Sequence, residues 1–166
     1  MLYDRWRKIV SEFSSECALC DLATGQRWAF AQLDSLAQAG GDQRLVFPQG
    51  AAIDFVVSVL RGWKSGGAVC PLEPDQPKPE IPALPKEIAH LKITSATTGP
   101  ARLVALTAEQ LAADARNIVS TMGLTREWPN LGVISLAHSY GFSNLITPRP
   151  SLNLSASVVV GDRSSG

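Results

Sequence analysis

At 166 residues the chain is long enough for one domain with a sizeable core, and its 45% hydrophobic and 18% charged content is that of an ordinary globular protein. Fifteen Lys and Arg balance fifteen Asp and Glu, so neither a basic nucleic-acid footprint nor a charged membrane-surface patch is expected. No apolar run approaches the roughly 18 residues that span a bilayer. The opening "MLYDRWRKIVSEF" scatters charges where a secretory leader would be apolar, so a cytoplasmic location is expected.

In chain order, Trp6, Ile9, Val10 and Phe13 fall on one face of a helix over Tyr3 to Phe13. Ala18 to Leu22 and Arg27 to Phe30 read as a hairpin about the turn signal "ATGQ". Within it, Cys17 and Cys20 form a C-x-x-C. An odd count of three cysteines, no second pair to complete four ligands, and a strand geometry that sends residues three apart to opposite faces argue against a disulfide framework or a metal site. Gln32 to Ala39 reads as a helix stopped by Gly40 and Gly41, and Leu45 to Phe47 as a short strand.

Ala51 to Trp63 is apolar around most of its circumference, which predicts a helix packed inside. "AVCPL" reads as a buried strand. Five prolines between Pro74 and Pro85 forbid a regular helix or central strand and predict an extended surface crossing. Strands are expected at His90 to Thr94 and Leu103 to Leu106. Thr107 and Gln110 form a capping box for a helix to Met122, with Leu111, Ala115, Ile118 and Met122 as its apolar stripe and Gly123 as its stop. "LGVISLA", Leu131 to Ala137, reads as a buried strand leading into "HSYGF". The alternation of strands and helices predicts an α/β fold.

The stretch "KITSATTGPARLVALTAEQ" holds the clearest chemical pattern. A loop that cradles polyphosphate needs inward N–H groups, hydroxyl donors and a cation. Ser95, Thr97 and Thr98 supply hydroxyls, Gly99 allows close approach, and Arg102 supplies the charge. It is not a Walker loop, since G-x-x-x-x-G-K-[ST] is absent. The residues alone leave a Ser/Thr/Gly linker and a phosphate loop both open. They likewise leave His138 open between structural hydrogen bonding and substrate contact.

Thr94 to Arg102 resembles the T-S-G-T-T-G-x-P-K signature loop of the adenylate-forming enzymes, the AMP-dependent synthetases and ligases that include acyl-CoA synthetases and peptide-synthetase adenylation domains. Three further segments resemble that family in the same order: "GQRWAFAQLDSLA", "VSVLRGWKSGGAVCPLEPDQP" and "ISLAHSYGF". Together they cover most of Gln26 to Pro148.

The resemblance implies a partial N-terminal subdomain with a mixed sheet flanked by helices. It also implies ATP-dependent activation of a carboxylate to an acyl-adenylate, with release of pyrophosphate. The acyl group then passes to a thiol, coenzyme A or a carrier-protein arm. By the same resemblance Thr94, Ser95, Thr97, Thr98, Gly99 and Arg102 would hold the phosphates of ATP, Mg²⁺ would share the charge, and His138 and Gly141 would border the carboxylate pocket.

The chain departs from the family pattern at Ala96, where glycine is usual, and at Arg102, where lysine is usual. Either Ala101 replaces the usual proline, or Pro100 is that proline and one residue is missing. The resemblance covers an N-terminal part only, without the later nucleotide motifs or the domain that carries the catalytic lysine. Residues 1–148 are therefore expected to form that part. Residues 149–166 are expected to be an atypical tail, frameshifted or disordered, with an alternating strand over Leu152 to Val160 as the rival. Three roles stay open: a truncated ligase, a non-catalytic nucleotide- or partner-binding module, and one half of a split ligase completed by a C-terminal fragment.

Overall fold

Helix α1 (Leu2–Phe13) forms because Leu2, Trp6, Ile9, Val10 and Phe13 recur at helical spacing, and all five are buried. In the computed structural model residues 1–50, 53–81, 83–94, 102–125, 130–147 and 158–160 are described. Strands β1 (Cys17–Asp21) and β2 (Arg27–Ala29) form the expected antiparallel hairpin. Asp21 organises its turn, accepting from the Ala23 N–H at 2.8 Å and the Thr24 hydroxyl at 2.9 Å. Cys17 and Cys20 both lie on β1 and are not disulfide-bonded.

Helix α2 (Phe30–Gln38) packs on α1 and carries Asp34, a carboxylate only 3% exposed. Burying that charge is tolerable because four donors surround it: the Tyr3 hydroxyl, the Trp6 indole N–H, the Arg7 guanidinium and the Gln38 amide. Helix α3 (Ile53–Lys64) is the predicted interior helix, with Phe55, Val57, Val59, Leu60, Gly62 and Trp63 all buried. Gly62 sits where the helix meets the sheet. A Cβ there would come within 2.6 Å of Val46 and 3.1 Å of Val69. At the C-terminal end of α3, Arg61 and Lys64 donate to carbonyls at the end of α2, at Leu36 and Gly40, both at 3.0 Å.

Strands β3 (Leu45–Val46), β4 (Ala68–Val69), β5 (Ile88–Ile93) and β6 (Leu103–Thr107) form one mixed sheet in that order. β3, β4 and β5 run parallel, and β6 is antiparallel to β5. The extended run continues past β4, as Cys70 and Leu72 donate to the carbonyls of Val46 and Pro48 at 2.9 Å each. The described residues of the proline-rich crossing carry no helix or strand, as five prolines require.

Helix α4 (Ala108–Met122) starts at the predicted capping box. The Thr107 hydroxyl accepts from Gln110 N–H at 3.2 Å, and the Gln110 side chain accepts from Thr107 N–H at 2.9 Å. It stops at Gly123, which adopts φ +61. A second sheet has the order β2-β1-β8-β7, with β7 at Asn130–Gly132 and β8 at Val158–Val160. β8 lies between β1 and β7 and is parallel to both. α5 (Ser139–Gly141) is a single turn that widens into a π-helical turn over Phe142–Ile146. The main core gathers Trp6, Phe30, Phe55, Trp63 and Phe142, while Cys70, Leu72 and Leu91 form a smaller cluster.

Two expectations are corrected. "LGVISLA" is not a buried strand. Only Asn130–Gly132 is extended, and Leu131, Val133 and Ile134 are 58%, 48% and 42% exposed. Ser135 ends the run because its hydroxyl accepts from Ala137 N–H at 3.2 Å and its carbonyl from His138 N–H at 3.2 Å, which turns the chain. The stripe on α4 is covered only at Leu111 and Ala115, with Ile118 half-buried and Met122 exposed. The proposed boundary at Pro148 and most of the tail lie outside the described residues, apart from the three residues of β8.

Candidate functional site

The β5–β6 pair ends at the loop that carries the hydroxyl pattern. Ile93 stands opposite Leu103, Thr94 N–H donates to the Arg102 carbonyl at 2.9 Å, and Arg102 N–H donates to the Thr94 hydroxyl at 3.1 Å. Thr94 and Arg102 therefore close the neck of the loop by backbone geometry. Ser95, Thr97, Thr98 and Gly99 lie outside the described residues.

Below the neck is a cavity of about 450 Å³ between β5, the Pro71–Gln76 segment and the Ala137–Ser139 turn. Thr94 and His138, far apart in sequence, line it together, whereas Arg102 and Gly141 do not. Arg102 is exposed. Gly141 is buried directly under the Ser135 carbonyl, too close for any Cβ, and lines a separate groove with Met122, Leu131 and Tyr140.

His138 caps α5, its Nδ1 accepting from Tyr140 N–H at 3.3 Å. In the neutral ring that fixes the proton on Nε2, a donor. The fold adds residues that the sequence reading did not single out. His90 and Lys92 on β5 and Thr94 just past its end line the cavity, as do Leu91 and Ile93, which also belong to the smaller core cluster.

His90 is 4% exposed, its ring lies 4.4 Å from that of Phe142, and its Nδ1 has no hydrogen-bond partner. Burial, with a smaller push from the Lys92 charge, lowers its pKa to about 4, so the imidazole is neutral at physiological pH. Glu73 is held from two sides. Its carboxylate accepts from the Ser135 hydroxyl at 2.9 Å, and its N–H donates to the Gln76 side chain at 3.2 Å. Gln49 pins the same turn, donating to the Glu73 and Gln76 carbonyls at 3.1 and 3.3 Å.

Among the described residues no group of three His, Cys, Asp or Glu side chains could hold a metal ion. Glu73 is the one carboxylate lining the cavity among the described residues. No helix among the described residues is long and apolar enough to cross a membrane.

No family model and no curated protein matches the chain. Solved structures do match. The crystal structure of VinN superposes with a TM-score of 0.77 at 14% identity, over 97% of this chain and 56% of its own. The inhibitor-bound N-terminal domain of FACL13 from Mycobacterium tuberculosis gives 0.76 at 13% identity, over 97% and 56%. ATP-bound MatB from Rhodopseudomonas palustris gives 0.72 at 13% identity, over 96% and 45%. The chain spans about half the length of these structures. All three neighbours are adenylate-forming enzymes, and at such identities the likeness is one of fold. The chain thus has the α/β fold of the N-terminal domains of adenylate-forming enzymes.

Proposed function

We propose that this chain is the N-terminal, ligand-binding part of an ATP-dependent ligase that activates a carboxylic acid as its acyl-adenylate. The observation that carries this reading is the cavity joining Thr94, at the neck of the β5–β6 loop, to His138 on the turn before α5, within an adenylate-forming fold. MatB, a neighbour in fold, has been solved with ATP bound.

In this reading the hydroxyls of Thr94, Ser95, Thr97 and Thr98, the close approach allowed by Gly99 and the charge of Arg102 hold the β- and γ-phosphates. The acid lies in the cavity, where the Nε2–H of His138 donates to it, and Gly141 keeps the turn seated against Ser135. The carboxylate oxygen attacks the α-phosphorus and pyrophosphate leaves. Hydrogen-bond donors fixed beforehand lower that barrier, because they need no reorganisation as charge develops. Transfer to a thiol of coenzyme A or a carrier protein follows, in the cytoplasm.

The test is calorimetric titration of the chain with ATP, beside a Thr98→Ala, Arg102→Ala variant. Binding that drops at least about tenfold in the variant, a loss of roughly 1.4 kcal/mol, supports the phosphate role. ATP binding that is absent, or equal in the two proteins, overturns it.

A second reading, one half of a split ligase, is favoured by the apolar surface of Met122, Leu131, Val133, Ile134 and Tyr140, each between 42% and 58% exposed. A complementary C-terminal fragment would cover it. Co-expression with such a fragment should give a stable complex, and failure to co-purify would count against this version.

A further inference from the structure

Strand β1 carries Cys17 and Cys20 on one face, against the expectation that residues three apart on a strand point to opposite sides. The register shows why. Cys17 pairs with Ala29 and Cys20 with Arg27, while Leu19 pairs with Trp28 and Ala18 is the extra residue of a β-bulge. Arg27 and Ala29 share a face, so the cysteines opposite them do too. Burial agrees, since Ala18 and Leu19 are 0% and 1% exposed while Cys17 and Cys20 are both partly exposed. Arg27, itself exposed, reaches the same pair. A hydrogen bond with the Cys17 side chain, and then the charges of Cys17 and Cys20, raise its pKa above the ordinary arginine value. None of the three residues lines the cavity beside β5.

The spacing decides what the pair can hold. Residues two apart on an extended strand have Cα atoms about 6.6 Å apart, and the cysteines facing Arg27 and Ala29 take a similar separation. A disulfide needs Cα atoms roughly 4.4–6.8 Å apart and sulfurs about 2 Å apart, so it would close only at the edge of its range. A metal ion between two thiolates, with bonds of about 2.3 Å, holds the sulfurs about 4.6 Å apart. Among the described residues no third His, Cys, Asp or Glu completes the group, so the four ligands of a zinc site are not gathered there. We propose that Cys17 and Cys20 form a two-coordinate site for a soft monovalent cation, Cu(I), with Arg27 as its counter-charge. Thiolate is the donor that such an ion prefers. On binding, the two thiols release two protons to solvent and two sulfur–metal bonds form, with no change of oxidation state. One positive ion on two thiolates leaves a single negative charge, which the Arg27 guanidinium offsets. The site stands apart from the ligase reading and does not depend on it.

The experiment is anaerobic titration of the reduced whole chain with Cu(I) against the coloured chelator bicinchoninate, with Zn²⁺ as a second probe. The chain should withdraw one Cu(I) from the chelator, and Zn²⁺ should not compete for it. Cys17→Ser and Cys20→Ser should each lose the binding. Cys70→Ala should keep it, because that thiol is buried in the smaller core cluster. Arg27→Ala should weaken the site about tenfold, and Arg27→Lys should recover most of the loss. X-ray absorption at the copper edge should count two sulfur neighbours. Thermal unfolding of each variant confirms that it folds.

If the reduced chain takes no Cu(I), or if either single-cysteine variant binds it as tightly as the unaltered chain, the proposal is overturned. The same holds if binding is lost with Cys70 or if Zn²⁺ displaces Cu(I). Three or four sulfur neighbours would mean an ion shared between chains and would overturn the two-coordinate site. Equal affinity of Arg27→Ala would overturn the counter-charge.

Discussion

Ser135 donates its hydroxyl to the Glu73 carboxylate at 2.9 Å, bridging 62 residues of sequence. The bond ties the turn after β4 to the turn before α5, so two walls of the cavity keep a fixed spacing. Ser135→Ala removes this bond and the one from Ala137 N–H, and both residues are exposed. The expected loss is about 0.5–1.5 kcal/mol, read from the midpoint of urea unfolding. An unchanged midpoint would show that water replaces the hydroxyl at no cost.

Asp34 serves four donors on α1 and α2. Asp34→Ala strands the buried Trp6 indole N–H, while half-exposed Arg7 returns to solvent, and should cost about 1–3 kcal/mol. Asp34→Asn keeps an acceptor and should cost less. Equal stability of the two variants would mean that the charge, not the hydrogen bonding, holds the helices together.

Burial first, and then the hydrogen bond and negative charge of Asp34, raise the Tyr3 pKa to about 12. An unfolded tyrosine ionises near 10. The folded chain therefore holds the phenolic proton more tightly. Stability from this group is complete below about pH 10 and lost as pH climbs from about 10 through 12. Phenolate absorbance of a Tyr140→Phe background should report the high value, and adding Asp34→Asn should bring it down.

His90 shows the opposite behaviour. Its folded pKa of about 4 lies below the unfolded value near 6.5, so the unfolded chain binds the proton more readily. Stability should fall as pH drops from about 6.5 to 4, by about 3 kcal/mol from this residue. His90→Phe, which can still pack on Phe142, should flatten that acid limb in equilibrium unfolding. A limb of unchanged slope would place the acid sensitivity elsewhere.

At Gly141 a Cβ would meet the Ser135 carbonyl. Backbone cannot rotate away as a side chain can, so Gly141→Ala should cost about 1–3 kcal/mol and disturb the His138 turn. Gly123→Ala, in open space but at φ +61, should cost about 1 kcal/mol through strain alone. Thermal unfolding of the two variants separates crowding from strain. Equal losses would mean that the Ser135 turn yields.

The sequence made legible what local chemistry determines. Thr107, Gln110 and Gly123 announced both ends of α4, and Ala23 to Gln26 announced the first hairpin turn, since each acts on its own neighbours. β7 was misread because Leu131, Val133 and Ile134 have the composition of a core strand, while the turn at Ser135 and the exposed position of the segment depend on distant partners. The hydroxyls at the loop neck and His138 were visible as types. Glu73, Lys92 and His90 were not, because nothing near them in sequence shows that a β-strand and two turns will enclose one space.

The Asp34 clamp also sets an order on synthesis. Trp6 and Arg7 leave the ribosome 28 and 27 residues before the carboxylate that secures them. At about 5–20 residues per second, α1 waits roughly one to six seconds with its apolar face uncovered. The clamp can therefore close as soon as α2 has emerged, well before Ser135 is made and the cavity walls can be tied together.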